Sequence, residues 1–328
     1  MTAQLDTPVE AAAPTAAKRR RRLPDTAVLA GVLVALAIFF STQSQFYLTP
    51  NNLLNILVNA AVIGIIAAPG TLLLVAGQFD LSVGSGAAFI GVIMAWSASQ
   101  WGIPTAVLLS LAAGLLIGMI NGFAVTVLGI NALITTLATL AILRGLGQVV
   151  AGGQTLLLPG FNELGNARPF FNIPVPVLVF VAVIIVTALL MKFTVFGRSM
   201  YAIGANPVAA RLAGIRTKTA IFGGFLLSGA AVAVGGLILV SQLGAASPNA
   251  ASGLELSVVT AVILGGASLA GGRGTIAGTV LGVLILGTLN NGLTLMNIDS
   301  FWQDVARGVL LLAAVGFDQL RLRLQADK

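Results

Sequence analysis

The 328-residue sequence contains neither cysteine nor histidine, and charged residues make up only 8% of it. The missing side chains exclude thiol nucleophiles, acid–base catalysis by histidine, and metal or haem sites built from Cys and His. The scarcity of charge excludes a water-soluble domain, in which about a quarter of the residues are charged. Because 57% of the residues are hydrophobic, we expect lipid to be the solvent of this chain.

Hydrophobic runs of about the length that a membrane helix needs follow one another along the chain. Polar residues, glycines or prolines separate them, and none carries a polar stripe wide enough for a water-facing helix. The pattern predicts an all-α polytopic membrane protein of about ten transmembrane helices. The predicted spans are 27–47, 53–76, 81–97, 104–128, 132–150, 175–192, 220–242, 256–270, 275–295 and 303–320.

Positive charge is concentrated in the segments that one orientation places in the cytoplasm. All but three of the 17 Lys and Arg residues lie there, and the exceptions are Arg144, Arg168 and Arg307. This asymmetry indicates that both termini are cytoplasmic. We expect a disordered basic tail over 1–25, a membrane domain over 26–321 and a cytoplasmic tail over 322–328. The net charge of +7 is therefore assigned to topology, and nucleic acid is not expected as a partner.

Two halves of the sequence, about 26–150 and 175–320, resemble each other in the order of their polar residues. Five spans separate equivalent positions, and an odd number inverts the orientation. A 5+5 inverted repeat is a transporter architecture, and it would place Asp80 near the cytoplasmic side and Glu255 near the outer side. The matching segments are Asp80-Leu81-Ser82-Val83 with Glu255-Leu256-Ser257-Val258, Asn121-Gly122 with Asn291-Gly292, and Arg144-Gly145 with Arg307-Gly308.

Few side chains in the spans can form strong polar interactions. Asp80 and Glu255 precede or begin helical segments, so each either complements a helix dipole or acts as a gate or substrate contact. Arg307 can pair with Asp304 or Asp299. Amides within or beside the spans could join helices or line a path for a hydroxylated solute, and the sequence favours neither. These amides are Asn55, Asn59, Asn121, Asn290 and Asn291.

A short helix is predicted in the longest cytoplasmic loop, over residues 206–214. Asn206 is a good N-cap, Pro207 fits the first turn, and Gly214 can end the helix. One interpretation is an ordinary loop helix. The other is a docking element whose small face, Ala209 and Ala210 beside Arg211, fits a groove on a soluble partner.

Two signatures of an energy source are missing from the sequence. It has no GxxxxGK[ST] phosphate loop, since Gly271–Thr275 lacks the lysine and the spacing. It also lacks the clustered intramembrane acids of a proton relay. We therefore expect a transporter subunit that is not an enzyme and binds neither cofactor nor metal.

Several motifs with a recognisable pattern lie between about residues 51 and 318. They are Gly77-Gln78-Phe79-Asp80-Leu81-Ser82-Val83-Gly84, Gly265-Gly266-Ala267-Ser268-Leu269-Ala270-Gly271-Gly272-Arg273-Gly274-Thr275, Leu289-Asn290-Asn291-Gly292-Leu293, and Gly197-Arg198 with Tyr201-Ala202-Ile203-Gly204. In these motifs the chain resembles the ribose/xylose/arabinose-type permeases of bacterial ABC sugar importers.

The resemblance implies an inner-membrane permease that pairs with a second copy of itself and lies in membrane lipid. ATPase domains, often fused in one chain, would bind ATP and Mg²⁺ and dock on the cytoplasmic face, and an extracytoplasmic sugar-binding protein would dock outside. Asn206–Gly214 matches the coupling segment, although Val208 stands where the broader pattern has Glu. An ion-coupled secondary transporter of a small polar solute is the alternative, and the sequence does not identify the sugar.

Overall fold

The computed structural model describes residues 25–326, and the predicted basic tail over 1–25 lies outside this range except for Asp25, which begins the first helix. Within it the chain is almost entirely helical, which confirms the all-α prediction. Two short strands, β1 (Leu156–Leu157) and β2 (Ala245–Ala246), pair antiparallel. The helices are α1 (Asp25–Gln43), α2 (Pro50–Val75), α3 (Val83–Thr126), α4 (Ala132–Ala151), α5 (Glu163–Asn166), α6 (Val175–Phe193), α7 (Val195–Ala205), α8 (Pro207–Leu212), α9 (Thr217–Leu243), α10 (Leu254–Leu264), α11 (Ile276–Leu295) and α12 (Ser300–Ala326).

Seven of these helices are long and apolar enough to cross a membrane: α1, α2, α3, α4, α6, α9 and α11. The 44 residues of α3 contain two of the predicted spans, joined at Gly102, whose φ of 80° is open to glycine but strained for other residues. Pro104 follows and lacks the N–H that would continue the hydrogen-bond ladder. The chain therefore reverses direction here almost without a loop. A helix coincides with each of the ten predicted spans, but their exact number and the inverted repeat remain predictions.

The predicted span over 256–270 is the largest departure from the sequence analysis. Its helix, α10, has 11 residues, about 16 Å at 1.5 Å per residue, which is half the thickness of a hydrocarbon core. After Leu264 the chain forms an irregular turn in which Gly266, Gly271 and Gly272 have positive φ. A continuous hydrophobic run in the sequence thus corresponds to a half-length helix followed by a glycine-rich turn. At the other end of the chain, α12 continues to Ala326, so most of the predicted terminal tail is helical.

The central helix of the core is α9, which packs along both arms of α3 and against α2. Close approach to α3 depends on glycine: a β-carbon at Gly118 would overlap the carbonyl oxygen of Phe225, and one at Gly229 would overlap that of Gly114. In membrane helices such small residues take the place of the hydrophobic effect in bringing backbones together. We call the side of the protein where α9 begins, next to α8, the α8 face.

Candidate functional site

A polar network surrounds Asp80 where the chain passes from α2 into α3. The carboxylate Oδ1 accepts hydrogen bonds from the backbone N–H of Ser82 at 3.0 Å and from its hydroxyl at 2.6 Å. The other oxygen, Oδ2, accepts one from the Ser228 hydroxyl of α9 at 2.7 Å. Asp80 therefore fixes Ser82, the residue that precedes α3, and attaches this segment to the central helix.

The same network continues into the second arm of α3 and into α4. Asn121 donates from Nδ2 to Ser82 Oγ at 2.9 Å, and its Oδ1 accepts from the Thr139 hydroxyl at 2.7 Å. Asn121 is fully buried. Since both ends of its amide are bonded to protein, Asn121 joins helices rather than lining an open path.

Asp80 and Glu255 lie at the same level of the fold, so the prediction that they occupy opposite sides of the membrane is wrong. Ser228, which binds Asp80, is near the middle of the 27-residue α9. The Glu255 carboxylate reaches the first turn of α3, because a β-carbon at Gly84 would overlap its Oε2. The amino ends of α3 and α10 therefore meet about halfway along the long helices, where neither the hydropathy nor the repeat pattern places them.

The Glu255 carboxylate has a different environment from that of Asp80. Its Oε2 is buried and has no hydrogen-bond partner among the described residues. Beside the junction is a small pocket between α2 and α10. It is lined by Gly70, Leu74, Gln78, Phe79, Asp80, Val258, Val259 and Val262. Glu255 of α10 thus faces the positive end of another helix, α3. The small pocket lies beside the place where these two helix starts meet.

The segment that leads into α10 is held by side chains of other helices. Arg144 of α4 donates from Nη1 to the carbonyl oxygens of Pro248 at 2.8 Å and of Ala250 at 3.3 Å. One turn further along α4, Gln148 donates to Asn249 Oδ1 at 2.9 Å. The carbonyls of an irregular segment are costly inside a membrane unless they are bonded, and Arg144 bonds two of them.

The second arginine within a predicted span, Arg307 of α12, lies on the other side of the same segment. Its Nη1 is 3.1 Å from Asp304 Oδ1, which is one of the two pairings expected from the sequence. A β-carbon at Gly253 would lie 3.1 Å from that Nη1. Arg144 and Arg307 therefore both approach residues 248–253, from α4 and from α12.

The amides of α2 and α11 divide into a hydrogen-bonded pair, Asn52 and Asn291, and side chains outside that pair. Asn291 and Asn52 donate to each other at 2.9 Å in both directions, and Asn52 also donates to the Tyr47 carbonyl at 2.9 Å. The sequence analysis missed Asn52, because Asn51 and Asn52 lie just before the predicted span over 53–76 and look like an ordinary polar boundary. Asn290 is half-buried, whereas Asn55 and Asn59, one turn apart on α2, are exposed.

The predicted loop helix is present as α8. Asn206 Oδ1 accepts from the backbone N–H groups of Val208 and Ala209, both at 3.0 Å, which is the predicted cap, and Gly214 has a φ of 82°. The predicted Ala–Ala docking face is wrong in one respect. Ala210 is 4% exposed and packs into the protein, while Val208 and Leu212 are 66% and 85% exposed. The free surface of α8 therefore comprises Val208, Ala209, Arg211 and Leu212.

An all-helical membrane protein with interrupted helices meeting at mid-height has the architecture of a permease. The chain belongs to the family described as "Branched-chain amino acid transport system / permease component", which matches residues 52–315. It is therefore the membrane component of a transport system and not an enzyme.

Curated relatives cover almost the whole chain. The L-arabinose transport system permease protein AraH of Escherichia coli (strain K12) is 41% identical over 311 residues, which are 89% of this chain and 90% of the relative. The ribose import permease protein RbsC is 39% identical in Bacillus subtilis (strain 168), over 88% of this chain and 90% of the relative. In Escherichia coli (strain K12) RbsC is 38% identical, over 88% and 92%. No solved structure matches the chain.

Proposed function

We propose that this chain is the membrane-spanning permease subunit of an ATP-driven importer that translocates a monosaccharide, a pentose or a similar sugar. The observation that carries the proposal is the similarity to arabinose and ribose permeases along nearly the full length of both chains. The family description names amino acids, but these relatives, at about 40% identity, have sugar cargoes.

Energy would come from a separate ATPase subunit, since the chain has no phosphate loop. An extracytoplasmic binding protein would deliver the sugar. A second copy of the permease would complete the pore, in a bacterial inner membrane with both termini in the cytoplasm. The concentration of Lys and Arg on the α8 face supports this orientation. A 5+5 inverted repeat is consistent with the reciprocal packing of α2 on α10 and α11, and of α9 on α3.

The exposed surface of α8 is our candidate docking site for the ATPase. Val208 and Leu212 lie one turn apart on a short, well-capped helix, and they project apolar surface from the face that carries the positive charge. Ala210 anchors the helix from behind. Asn206, Ala209, Arg211 and Gly214 would shape the element, in agreement with the coupling segment that the sequence resemblance implies.

The exposed face of α2 is our candidate wall of the sugar path. Asn55 and Asn59 are uncovered amides on α2, and an amide facing lipid has no partner for its hydrogen bonds. Further along the same helix lies Gly70, which lines the pocket beside Asp80. Amides donate to and accept from hydroxyl groups, so this face suits a polyhydroxylated solute. Protection of Asn59→Cys from thiol reagents by the sugar-loaded binding protein would support this wall, and unchanged labelling would contradict it.

The energy source is tested by uptake in cells that lack their own arabinose and ribose permeases. The chain is expressed with a cognate ATPase and binding protein, and accumulation of radiolabelled L-arabinose and D-ribose is measured. We expect uptake to require the ATPase and to persist when a protonophore dissipates the proton gradient while ATP is maintained. Uptake that survives removal of the ATPase would favour the ion-coupled alternative.

The docking site is tested separately with Leu212→Glu. A charge on this exposed residue should spare the fold and weaken co-purification of the ATPase, because a desolvated unpaired carboxylate is costly at an interface. Thr219→Glu, exposed in the first turn of α9, is the matched control and should co-purify normally. Undiminished co-purification of Leu212→Glu would show that α8 is not the docking element.

A further inference from the structure

Three segments of the chain meet at the α8 face in direct backbone contact. They are Val75–Gly77 at the end of α2, Gly204–Ala205 at the end of α7, and Gly271–Gly274 in the turn after α10. We call this contact the glycine crossing. The Gly272 N–H donates to the Val75 carbonyl at 2.7 Å, so two segments almost 200 residues apart are joined directly through their backbones.

The third segment fits against both of the others. A β-carbon at Gly204 would overlap the Val75 carbonyl oxygen, and one at Gly271 would lie 3.1 Å from the Gly204 Cα and 3.1 Å from the Gly77 nitrogen. Backbone packed this closely has no flexible side chain to absorb a displacement. A shift of α7 must therefore move the neighbouring segments or break the contact.

A side chain strengthens the crossing from α7. The Tyr201 hydroxyl donates to the Gly274 carbonyl at 2.7 Å, while Met200 and Ile203 on the same helix are buried. The helix is thus held on one side by the core and on the other by the turn after α10.

The crossing connects α8 with both interrupted regions of the membrane core. Asn206 ends α7 by donating from its backbone to the Ala202 carbonyl and begins α8 with its side chain, so the two helices share one residue. Asp80 follows Val75 by five residues, and Leu264, the last residue of α10, precedes Gly271 by seven. The glycine crossing is therefore connected, within a few residues of chain, both to the segment that carries Asp80 and to the helix that carries Glu255.

We propose that the glycine crossing transmits the displacement of α8 to the start of α3 and the end of α10 together, with Gly204 and Tyr201 as its positioning residues. This inference rests on the proposed docking of an ATPase at α8. It adds a route by which one movement reaches both halves of the protein at once, through backbone contact rather than through the length of α9.

The test separates transmission from docking and from folding. Tyr201→Phe keeps the ring and removes one hydrogen bond, and Gly204→Ala introduces the overlapping methyl. Their controls are Ser199→Ala, on the same helix, and Gly145→Ala, where a β-carbon would meet nothing within 4 Å. In complexes of permease, ATPase and binding protein reconstituted in liposomes, four quantities are measured: folded yield, ATPase co-purification, ATP hydrolysis, and sugar transported per ATP.

We expect both variants to retain co-purification and hydrolysis. Sugar transported per ATP should fall about fivefold for Tyr201→Phe, the factor expected for one lost hydrogen bond, and further for Gly204→Ala, while the controls stay unchanged. A normal ratio in folded Tyr201→Phe overturns the proposal even if Gly204→Ala misfolds. Loss of co-purification in Tyr201→Phe also overturns it, because the defect would then be in docking. Normal co-purification of Leu212→Glu would instead count against the docking site itself.

Discussion

The starts of α3 and α10 meet at one level of the fold, but they are stabilised in opposite ways. At α3 the carboxylate of Asp80 accepts three hydrogen bonds from its own chain segment and from α9. At α10 the carboxylate Oε2 of Glu255 has no hydrogen-bond partner within residues 25–326, and the preceding segment is held through its carbonyls by Arg144. The segment before α3 is thus held by its own acid, Asp80, whereas the segment before α10 depends on Arg144 from α4.

This difference indicates which of the two regions can move. Releasing α3 requires breaking a buried network that includes Ser82, Asn121 and Thr139, whereas the hydrogen bonds from other helices to the segment before α10 come from two side chains of α4, Arg144 and Gln148. We therefore expect the Asp80 region to behave as a fixed frame and residues 248–255 as the mobile part. Substitutions of Asp80, Arg144 and Glu255 test this comparison.

Asp80→Leu should have the largest effect, because it removes the carboxylate that accepts hydrogen bonds from both Ser82 and Ser228. The donors left without a partner in the core would each cost about 1–3 kcal/mol, so folded protein and uptake should fall together. Asp80→Asn should be milder, since its carbonyl oxygen still accepts from Ser82 and its amide can donate to Ser228. The measurements are the melting temperature in detergent and uptake in cells. If Asp80→Asn is abundant and folded but inactive, Asp80 has a direct role in transport and is not part of a fixed frame.

Arg144→Gln should have an intermediate effect that is confined to the segment before α10. It removes charge-assisted hydrogen bonds to two carbonyls, worth roughly 1.5–3 kcal/mol each, while the Asp80 network stays intact. A single cysteine placed at the half-buried Ala250 reports the change, since the chain has none of its own. We expect faster thiol labelling in the Arg144→Gln background.

The matched control for this labelling experiment is Gln148→Ala, which removes a contact to the exposed side chain of Asn249 and leaves both carbonyls bonded to Arg144. Its labelling rate should stay close to that of the parent. Equal acceleration by both substitutions would mean that Arg144 has no special part in holding the segment.

Glu255→Gln should have the smallest effect on stability. The substitution removes a charge whose buried Oε2 accepts no hydrogen bond, so the melting temperature should remain unchanged or rise slightly. Uptake should stay within about twofold of the parent, as for substitutions that break no specific contact. Abolished uptake with normal stability would identify Glu255 as a participant in gating.

The sequence was sufficient for the features that depend on local chemistry. Runs of apolar residues located most of the long helices within a few residues, and Asn206 caps α8 as its residue type predicts. The internal similarity correctly singled out Asp80 and Glu255 as the acids at two helix starts. It could not give their depth, because that depends on where a helix breaks, and 256–270 is as hydrophobic as a full span. The closely spaced glycines of 265–274 were the one available signal of a break.

Side-chain partners across the fold were beyond sequence reasoning for a related reason. Ala210 looks like the neighbouring Ala209, but helix rotation turns it into the core. Asn121 and Asn55 are both amides in apolar helices, yet one is bonded at both ends and the other is exposed. Composition and periodicity do not distinguish such cases, since each depends on the residue packed opposite.

The reciprocal amide pair of Asn52 and Asn291 has a consequence for biosynthesis. The two residues are separated by 239 positions, so the ribosome completes α2 long before it reaches the partner on α11. At about 5–20 residues per second, α2 waits on the order of ten to fifty seconds in the membrane with a side-chain amide that lacks its final partner. The bond between Thr71 and Thr279 is delayed in the same way. The second transmembrane helix therefore completes its native contacts only when the chain is nearly finished, and nascent chains truncated before residue 291 should remain substrates for membrane quality-control proteases.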